Sequence, residues 1–108
     1  MPIPFEDFKK VEIKVGTVIS AEKIENADKL IKLVFDLGSE QRQIVAGIAE
    51  VFPDVSVLVG MQMPIVVNLE PKMLKGFESQ GMILAVNVDG KPVLLHPEGQ
   101  VPPGSVVK

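Results

Sequence analysis

The sequence is poor in the residues that build most catalytic and metal sites: it has no cysteine, tryptophan or tyrosine, and a single histidine, His96. Without cysteine the chain can form neither disulfide bonds nor thiolate metal sites, which is typical of proteins in reducing compartments. His96 lies between Leu95 and Pro97 at a predicted strand end, which favours a structural role. No nucleophile beside a base and no carboxylate pair appears, so we expect no catalytic residue, no metal and no cofactor.

Long apolar runs and an excess of positive charge are also missing. No run approaches the roughly 18 apolar residues that a membrane-spanning helix needs. The N-terminal stretch MPIPFEDFKK lacks the apolar core of a signal peptide, so we expect a cytoplasmic protein with no membrane partner. The formal net charge is −3 and Arg42 is the only arginine, so any phosphate binding must come from a local cluster of basic side chains.

Apolar residues, by contrast, are abundant for a chain of this length. At 108 residues with 46% hydrophobic content, the sequence suits a single domain over residues 1–108. A chain this small cannot easily bury so much apolar surface alone, so we expect a homodimer. The predicted fourth strand or the C-terminal hairpin and tail would supply the interface, with Met61, Met63 and Leu94 as candidates.

Alternation of apolar and polar residues predicts a half-buried first strand over residues 11–20. Gly16 in its interior indicates a bulge or a tight bend. A polar turn at Asn26 and Asp28 then precedes the second strand. The residues predicted to share the buried face of the first strand are Val11, Ile13, Val15, Thr17 and Ile19.

The remaining pattern predicts further short strands with turns between them. The second strand, residues 29–37, would point Ile31, Leu33, Phe35 and Leu37 inward. A short helical or irregular link over residues 49–60 follows the third strand, and Asp89–Gly90 predicts a tight hairpin turn. The other predicted strands are residues 40–48, 61–69, 78–88 and 91–96.

Three strands, a short link and two more strands is the order of an OB-fold, a five-stranded Greek-key barrel, here with an extra C-terminal hairpin. A small sandwich of the jelly-roll type is the alternative fold. OB-folds bind oligonucleotides on the face of strands 2 and 3 and on the loops between strands 1 and 2 and between strands 4 and 5. Five of the eleven basic residues fall on those elements, namely Lys29, Lys32, Arg42, Lys72 and Lys75.

The stretch KGFESQGM, residues 75–82, places polar residues and glycine where a core strand is expected to begin. We interpret it as the edge of a nucleic-acid site, where Ser79 would donate to a phosphate and Met82 would pack on a base. A structural interpretation stays open for each residue. The lysines can be ordinary solvated charges, Gly81 can serve loop geometry, and Arg42 can pair with a neighbouring carboxylate.

Few aromatic side chains are present for base stacking, so contact with the backbone of a folded RNA suits the chain better than tracking a single strand. The segments ENADKL, IVAGI, NLEP and KGFESQGM resemble the tRNA-binding domain at the C-terminus of bacterial methionyl-tRNA synthetases, which also occurs as free-standing proteins. The resemblance implies an OB-fold, a homodimer, and tRNA binding that depends on shape more than on base sequence. It also implies an accessory or beta-subunit role beside a methionyl-tRNA synthetase catalytic chain, with no chemistry of its own.

By this resemblance, Asn26, Lys29, Ser79 and Met82 match positions that the family uses for RNA, and Lys75 matches a position that is usually basic. The chain departs from the family pattern at Ile31, Glu70 and Met73, which removes charge and one aromatic side chain from the predicted site. Two other functions stay open. One is a small export-related chaperone of similar length that binds peptides, and the other is a pure dimerisation module.

Overall fold

In the computed structural model, which describes residues 1–108, five antiparallel strands curve into a nearly closed barrel. The barrel strands are β1 (Ile13–Lys23), β2 (Ile31–Asp36), β3 (Gln41–Ala46), β4 (Gln62–Val66) and β7 (Met82–Ile83). Their order in the sheet is β3-β2-β1-β4-β7, so β3 and β7 are its two edges. The predicted OB-fold is confirmed, and the jelly-roll alternative is not.

Two small hairpins and a terminal strand surround this barrel. One hairpin joins β5 (Lys72–Leu74) to β6 (Phe77–Ser79), and the other joins β8 (Ala85–Val88) to β9 (Lys91–Leu94). The strand β10 (Val106–Val107) pairs with the start of β1. The helical elements are a single turn, α1 (Phe5–Phe8), and two 3₁₀ turns, Ala49–Val51 and Val55–Leu58. No helix of the structure could span a membrane.

The barrel interior is filled by the residues that alternation predicts for β2. Ile31, Leu33 and Phe35 are fully buried and Leu37 is nearly so. Phe35 also explains Gly16, because a Cβ atom built at that glycine would lie 2.8 Å from Cδ1 of Phe35. Gly16 therefore leaves room for the largest core side chain, and the bulge in this strand lies elsewhere.

The predicted face of β1 is wrong at both ends. Ile19 and Val11 are exposed, whereas Val18 is 2% exposed and belongs to the core. The pairing register between β1 and β2 shifts between Val18 and Ser20. Before this point the residues that face Phe35 are Gly16 and Val18, neither of which belongs to the predicted buried face. The extra residue of a bulge then brings the odd-numbered Ala21 to the core side, opposite Leu33.

The predicted single strand over residues 78–88 is also wrong. The chain forms β6, β7 and β8 in succession, and only β7 joins the barrel. All four residues of β8 are exposed, because the β8–β9 hairpin leaves the sheet. Its turn agrees with the prediction, since Asp89 and Gly90 have φ values of 50° and 82°.

The three methionine and leucine candidates for a dimer interface contribute to different degrees to the core of the monomer. Met63 is fully buried, so it is unavailable to an interface. Met61 and Leu94 pack against the main core cluster but are only partly buried. The exposed apolar side chains of the hairpin and tail are instead Val86, Val88, Val93, Leu95, Val106 and Val107.

Candidate nucleic-acid interface

Ser79 and Gln80 close the barrel between its two edges, which accounts for their place in KGFESQGM. The hydroxyl oxygen of Ser79 accepts a hydrogen bond from the backbone N–H of Val45 in β3 at 3.0 Å, and the same hydroxyl donates to the carbonyl of Gly81 at 3.1 Å. Ser79 is 6% exposed. Its one O–H donor is already used, so Ser79 cannot donate to a phosphate without giving up the bond to Gly81.

Gln80 completes the hydrogen bonding of the β3 edge at the next position. Its backbone N–H donates to the carbonyl of Gln43 at 2.8 Å, and its side-chain oxygen accepts from the backbone N–H of Gln43 at 3.0 Å. The Gln43 side chain donates in turn to the carbonyl of Glu78 at 3.0 Å. Side chains thus act as the missing strand neighbour, which satisfies backbone groups that an open edge would leave unpaired.

Gly81 is required by close packing in the same segment. A Cβ atom at this position would lie 2.7 Å from the carbonyl oxygen of Val66 and 3.1 Å from Cδ1 of Ile44. The predicted close approach therefore exists, but the neighbour is the protein backbone and not a nucleotide. We call residues 79–81 the closure segment.

Arg42 belongs structurally to this closure. Its guanidinium donates to Glu40 Oε1 at 2.6 Å, to the carbonyl of Gln80 at 3.3 Å, and also to the carbonyl of Val67. The hydrogen bond from Arg42 and then its positive charge hold the pKa of the exposed Glu40 carboxyl below its ordinary value. Arg42 thereby ties β3 to the end of β4 and to the closure segment, and its pairing with Glu40 is the structural alternative given above.

A second, smaller apolar cluster brings the two predicted binding elements together. Ile24, Ala27 and Val45 form its buried part, and three partly buried side chains pack against them: Leu30, Leu74 and Phe77. Three residues of the loop 24–30, namely Ile24, Ala27 and Leu30, thus meet the β5–β6 hairpin beside Val45 of β3. Three backbone hydrogen bonds within 24–30 fix the loop's shape.

Lys32 lies at the edge of this cluster. Its ammonium nitrogen is 4.8 Å from the centre of the Phe77 ring and 3.9 Å from a carboxylate oxygen of Glu22. The Lys32 side chain is 23% exposed, so its stem packs on the protein while the charge stays near the surface. Phe77 was missed by sequence reasoning, although its place one residue before the acidic Glu78 in a short alternating stretch is a signal of one packed and one solvated face.

The side chain of Lys29 extends from the loop 24–30 into solvent and has one ion-pair partner. Its ammonium nitrogen is 3.7 Å from Glu50 Oε1, and the two side chains are 77% and 65% exposed. Such an exposed pair is weak and open to exchange with another anion. Asn26 stands exposed three residues earlier, with φ at 62°, a backbone region that asparagine tolerates.

Lys75 lies at the turn of the β5–β6 hairpin and has a positive φ angle, which is unusual for a lysine. Its φ is 50°, followed by 84° at Gly76, so a lysine holds a turn position that normally carries asparagine, aspartate or glycine. The other two such non-glycine positions in the chain are Asn26 and Asp89. Lys75 is exposed and forms no ion pair. A strained residue that keeps an exposed charge is a candidate for a functional role.

Lys72 and Met82 complete the set of predicted residues. Lys72 is exposed, forms no ion pair, and lies opposite Ser79 in the β5–β6 pairing. Met82 is 48% exposed in β7 beside Val66. We call Lys29, Lys32, Lys72 and Lys75 the lysine rim.

The eight predicted residues thus fall into two groups that lie on neighbouring elements. The open group consists of the lysine rim with Asn26 and Met82, whereas Ser79 and Arg42 are bound inside the closure. Contacts link the groups, because the β5–β6 hairpin carries Lys75 at its turn and the paired residues Lys72 and Ser79 at its inner end. The barrel, with its strand order and its lysine rim on the first loop, β2 and the neighbouring hairpin, defines a domain of the OB-fold class.

Comparison with known proteins identifies the family to which the chain belongs. The family model described as "Putative tRNA binding domain" matches residues 13–106, and the chain belongs to this tRNA-binding domain family. Among curated relatives, the methionine–tRNA ligases of Methanothrix thermoacetophila and Archaeoglobus fulgidus are 48% and 50% identical over 98% and 97% of this chain. The chain spans only 16% of the length of either ligase.

Solved structures give the same fold over the full length of the chain. A MetRS-related protein from Pyrococcus horikoshii matches with a TM-score of 0.94 and 42% identity, over 100% of this chain and 99% of that one. The chaperone CsaA of Bacillus anthracis matches with a TM-score of 0.90 and 33% identity, over 100% of both chains.

Proposed function

We propose that this chain binds tRNA as a non-catalytic accessory of a methionyl-tRNA synthetase, in the cytoplasm where protein biosynthesis takes place. The observation that carries the proposal is the lysine rim, whose four ammonium groups gather on elements that pack together through Phe77 and its neighbours. Two of these lysines, Lys72 and Lys75, form no ion pair. Membership of the tRNA-binding domain family supports the choice of tRNA as the ligand.

The rim recognises the shape of the RNA backbone in this proposal. Ammonium groups bind phosphates regardless of the adjoining base, so contacts of this kind position a nucleic acid without reading its sequence. The chain has no tryptophan or tyrosine for stacking, and Phe77 is partly buried under Lys32. Met82 remains as an exposed, polarizable surface for one base or ribose, and Asn26 as a hydrogen-bonding group.

Ser79 and Arg42 act in this scheme by positioning the rim. Their hydrogen bonds fix the inner end of the β5–β6 hairpin against β3, and the outer end of that hairpin carries Lys75. Their substitution would weaken RNA binding through loss of structure, whereas substitution of Lys75 or Lys29 would remove a direct contact.

A gel-shift experiment with folded tRNA, unfolded tRNA and single-stranded DNA tests the proposal. We expect folded tRNA to bind best, with a log–log salt slope on the order of −2 to −4, because about three to five phosphates would be neutralised. Equal binding of all three ligands, or an affinity that does not change with salt, would contradict a rim that reads folded RNA through its phosphates.

A homodimer is part of the proposal, and in it a second copy of the chain covers the apolar surface that includes the C-terminal tail. An apolar groove of about 310 Å³ lies between the chain termini, and we call it the terminal groove. Its apolar lining includes Phe5, Phe8, Val11, Val106 and Val107. Burying such a patch against a second copy removes apolar surface from water. Light scattering at low concentration should give a dimer mass for the wild-type chain and a monomer mass for Val106→Lys.

Peptide binding is the second candidate function, and the terminal groove together with the likeness to CsaA favours it. The same Val106→Lys variant separates the two uses of the groove. If the groove binds peptides, the variant loses capture of an unfolded apolar peptide while the oligomeric mass stays that of the wild type. Under the tRNA proposal the variant changes the mass, and peptide capture is absent in both proteins.

A further inference from the structure

A cleft on the far side of Lys29 lies between the barrel and the tip of the β8–β9 hairpin. The cleft has a volume of about 310 Å³, and its walls come from the first 3₁₀ turn on one side and from Gly90 and Lys91 on the other. Lys91 lies outside the strands and loops that an OB-fold ordinarily uses for nucleic acids, and sequence analysis did not single it out. The cleft sets Lys91 opposite Lys29, a member of the lysine rim.

Both walls of this cleft are held firmly in place. The carbonyl of Lys29 accepts a hydrogen bond from the backbone N–H of Ala49 at 3.1 Å, which ties the loop to the 3₁₀ turn. At the hairpin tip, the backbone N–H of Gly90 donates to Asn87 Oδ1 at 2.7 Å. At the base of the hairpin, Leu94 packs on the barrel core. The separation of the two lysine backbones is therefore set by the fold.

The two lysines at the cleft are balanced by two carboxylates, Glu50 and Asp89, so an incoming anion must displace Glu50 from Lys29 in order to bind. Lys91 forms no ion pair, and Lys29 has only its weak, exposed partner Glu50 on the same wall. Asp89 is exposed at the hairpin tip. An anion placed between the two ammonium groups would replace Glu50 at Lys29 and give Lys91 a partner it lacks. A phosphodiester carries the single negative charge and the acceptor oxygens that two lysines can share.

We propose that this cleft binds one phosphate of the tRNA backbone, held jointly by Lys29 and Lys91, so that the β8–β9 hairpin extends the RNA surface beyond the barrel. The inference rests on the proposed tRNA binding and adds a second structural element to it. A rigid hairpin standing off the barrel gives the domain two separated supports for one RNA, which suits recognition of a folded shape.

The test compares Lys91→Ala, Lys29→Ala and the double variant by tRNA gel shift over a range of salt, with Lys10→Ala as the matched control. Lys10 is as exposed as Lys29 and is paired with Asp7 as Lys29 is with Glu50, but it precedes β1 and lies outside the cleft. We expect Lys91→Ala to weaken binding about tenfold near 0.1 M salt and to lower the log–log slope by about one, with no change in Lys10→Ala. The double variant should lose less than the product of the two single losses, because both lysines hold the same phosphate.

Lys91→Ala binding like Lys10→Ala, or a double variant that shows the full product of the two losses, would overturn the shared phosphate site. In either case the wild-type chain still binds tRNA and Lys75→Ala still weakens it, so the proposed function survives. Absence of any tRNA binding by the wild-type chain would remove the proposed function itself.

Glu50→Gln provides a second and opposite readout. Removing the carboxylate that competes for Lys29 should strengthen tRNA binding by a few fold, and Glu98→Gln serves as the control for the same change in net charge. If the two variants bind tRNA equally, Glu50 does not compete at the cleft and the site as proposed is wrong.

Discussion

The closure segment and the lysine rim are both polar and adjoin one another, yet their side chains are used in opposite ways. In the closure segment and its partner Arg42, the donors point at protein acceptors at hydrogen-bonding distance. On the rim, Lys72 and Lys75 have no ionic partner, and Lys29 and Lys32 each have only an exposed carboxylate at 3.7 and 3.9 Å. A polar motif therefore contains both residues that build the site and residues that are free to bind, and only their hydrogen-bond partners distinguish the two kinds.

The largest expected effect comes from crowding the closure. Gly81→Ala would place a methyl group 2.7 Å from the carbonyl oxygen of Val66, so the backbone of β4 or β7 must shift. We expect a loss of about 3 kcal/mol in the free energy of unfolding, measured by denaturant titration. Gly76→Ala, where a Cβ would meet no atom within 4 Å but φ is 84°, provides a milder comparison in the same stretch. A Gly81→Ala protein of wild-type stability would show that the closure is loose.

Removing the Ser79 hydroxyl comes next in size. Ser79→Ala leaves the buried N–H of Val45 without its acceptor, which costs about 2 kcal/mol. Denaturant titration should show this loss. Ser79→Cys, which keeps a weak donor and acceptor, should recover part of the stability. Unchanged stability in Ser79→Ala would mean that the hydroxyl is kept for a ligand and not for the fold.

Substitution of Lys75 should raise the stability of the protein and weaken tRNA binding. Lys75→Asn replaces lysine by a residue that tolerates the positive φ of 50°, so the free energy of unfolding should rise by about 1 kcal/mol. The same change should weaken tRNA binding about tenfold, because one phosphate contact is lost. Lys10→Asn is the matched control for charge. A Lys75→Asn variant that gains stability and keeps full affinity would remove Lys75 from the binding surface.

The smallest effect concerns Glu40, whose carboxyl has a lowered pKa beside Arg42. A group with a folded-state pKa below its unfolded value stabilises the fold above the unfolded pKa, and this contribution is lost as pH falls through the folded pKa. Glu40→Gln should therefore be slightly less stable than wild type near neutral pH, and the gap should close on acidification below about pH 4. Thermal melts across this range would show it, and a gap that widens in acid would contradict the assignment.

Much of the barrel could be predicted because its signals are local. The alternation in β2 identified Ile31, Leu33 and Phe35 as core residues, and Asp89–Gly90 identified the hairpin turn. The bulge after Val18 could not be predicted, since it depends on the register between two strands. The same holds for the break at 80–81, where side chains of one segment complete the edge of a strand almost 40 residues earlier.

The site shows the same division. Strand order alone placed Lys29, Lys32, Lys72 and Lys75 near one another, because an OB-fold brings those elements together. The sequence could not show that Ser79 and Arg42 are committed to protein acceptors, since residue type states only what a side chain can donate. Lys91 could not be predicted from the sequence, because its position beside Lys29 depends on how the β8–β9 hairpin leaves the barrel.

The most direct test of the central claim is the salt dependence of tRNA binding in two variants measured side by side, Lys75→Ala and Ser79→Ala. If free rim lysines bind the RNA and the closure only supports them, Lys75→Ala lowers the log–log slope by about one and Ser79→Ala leaves the slope unchanged. A slope that stays at the wild-type value in Lys75→Ala and falls in Ser79→Ala would contradict the account.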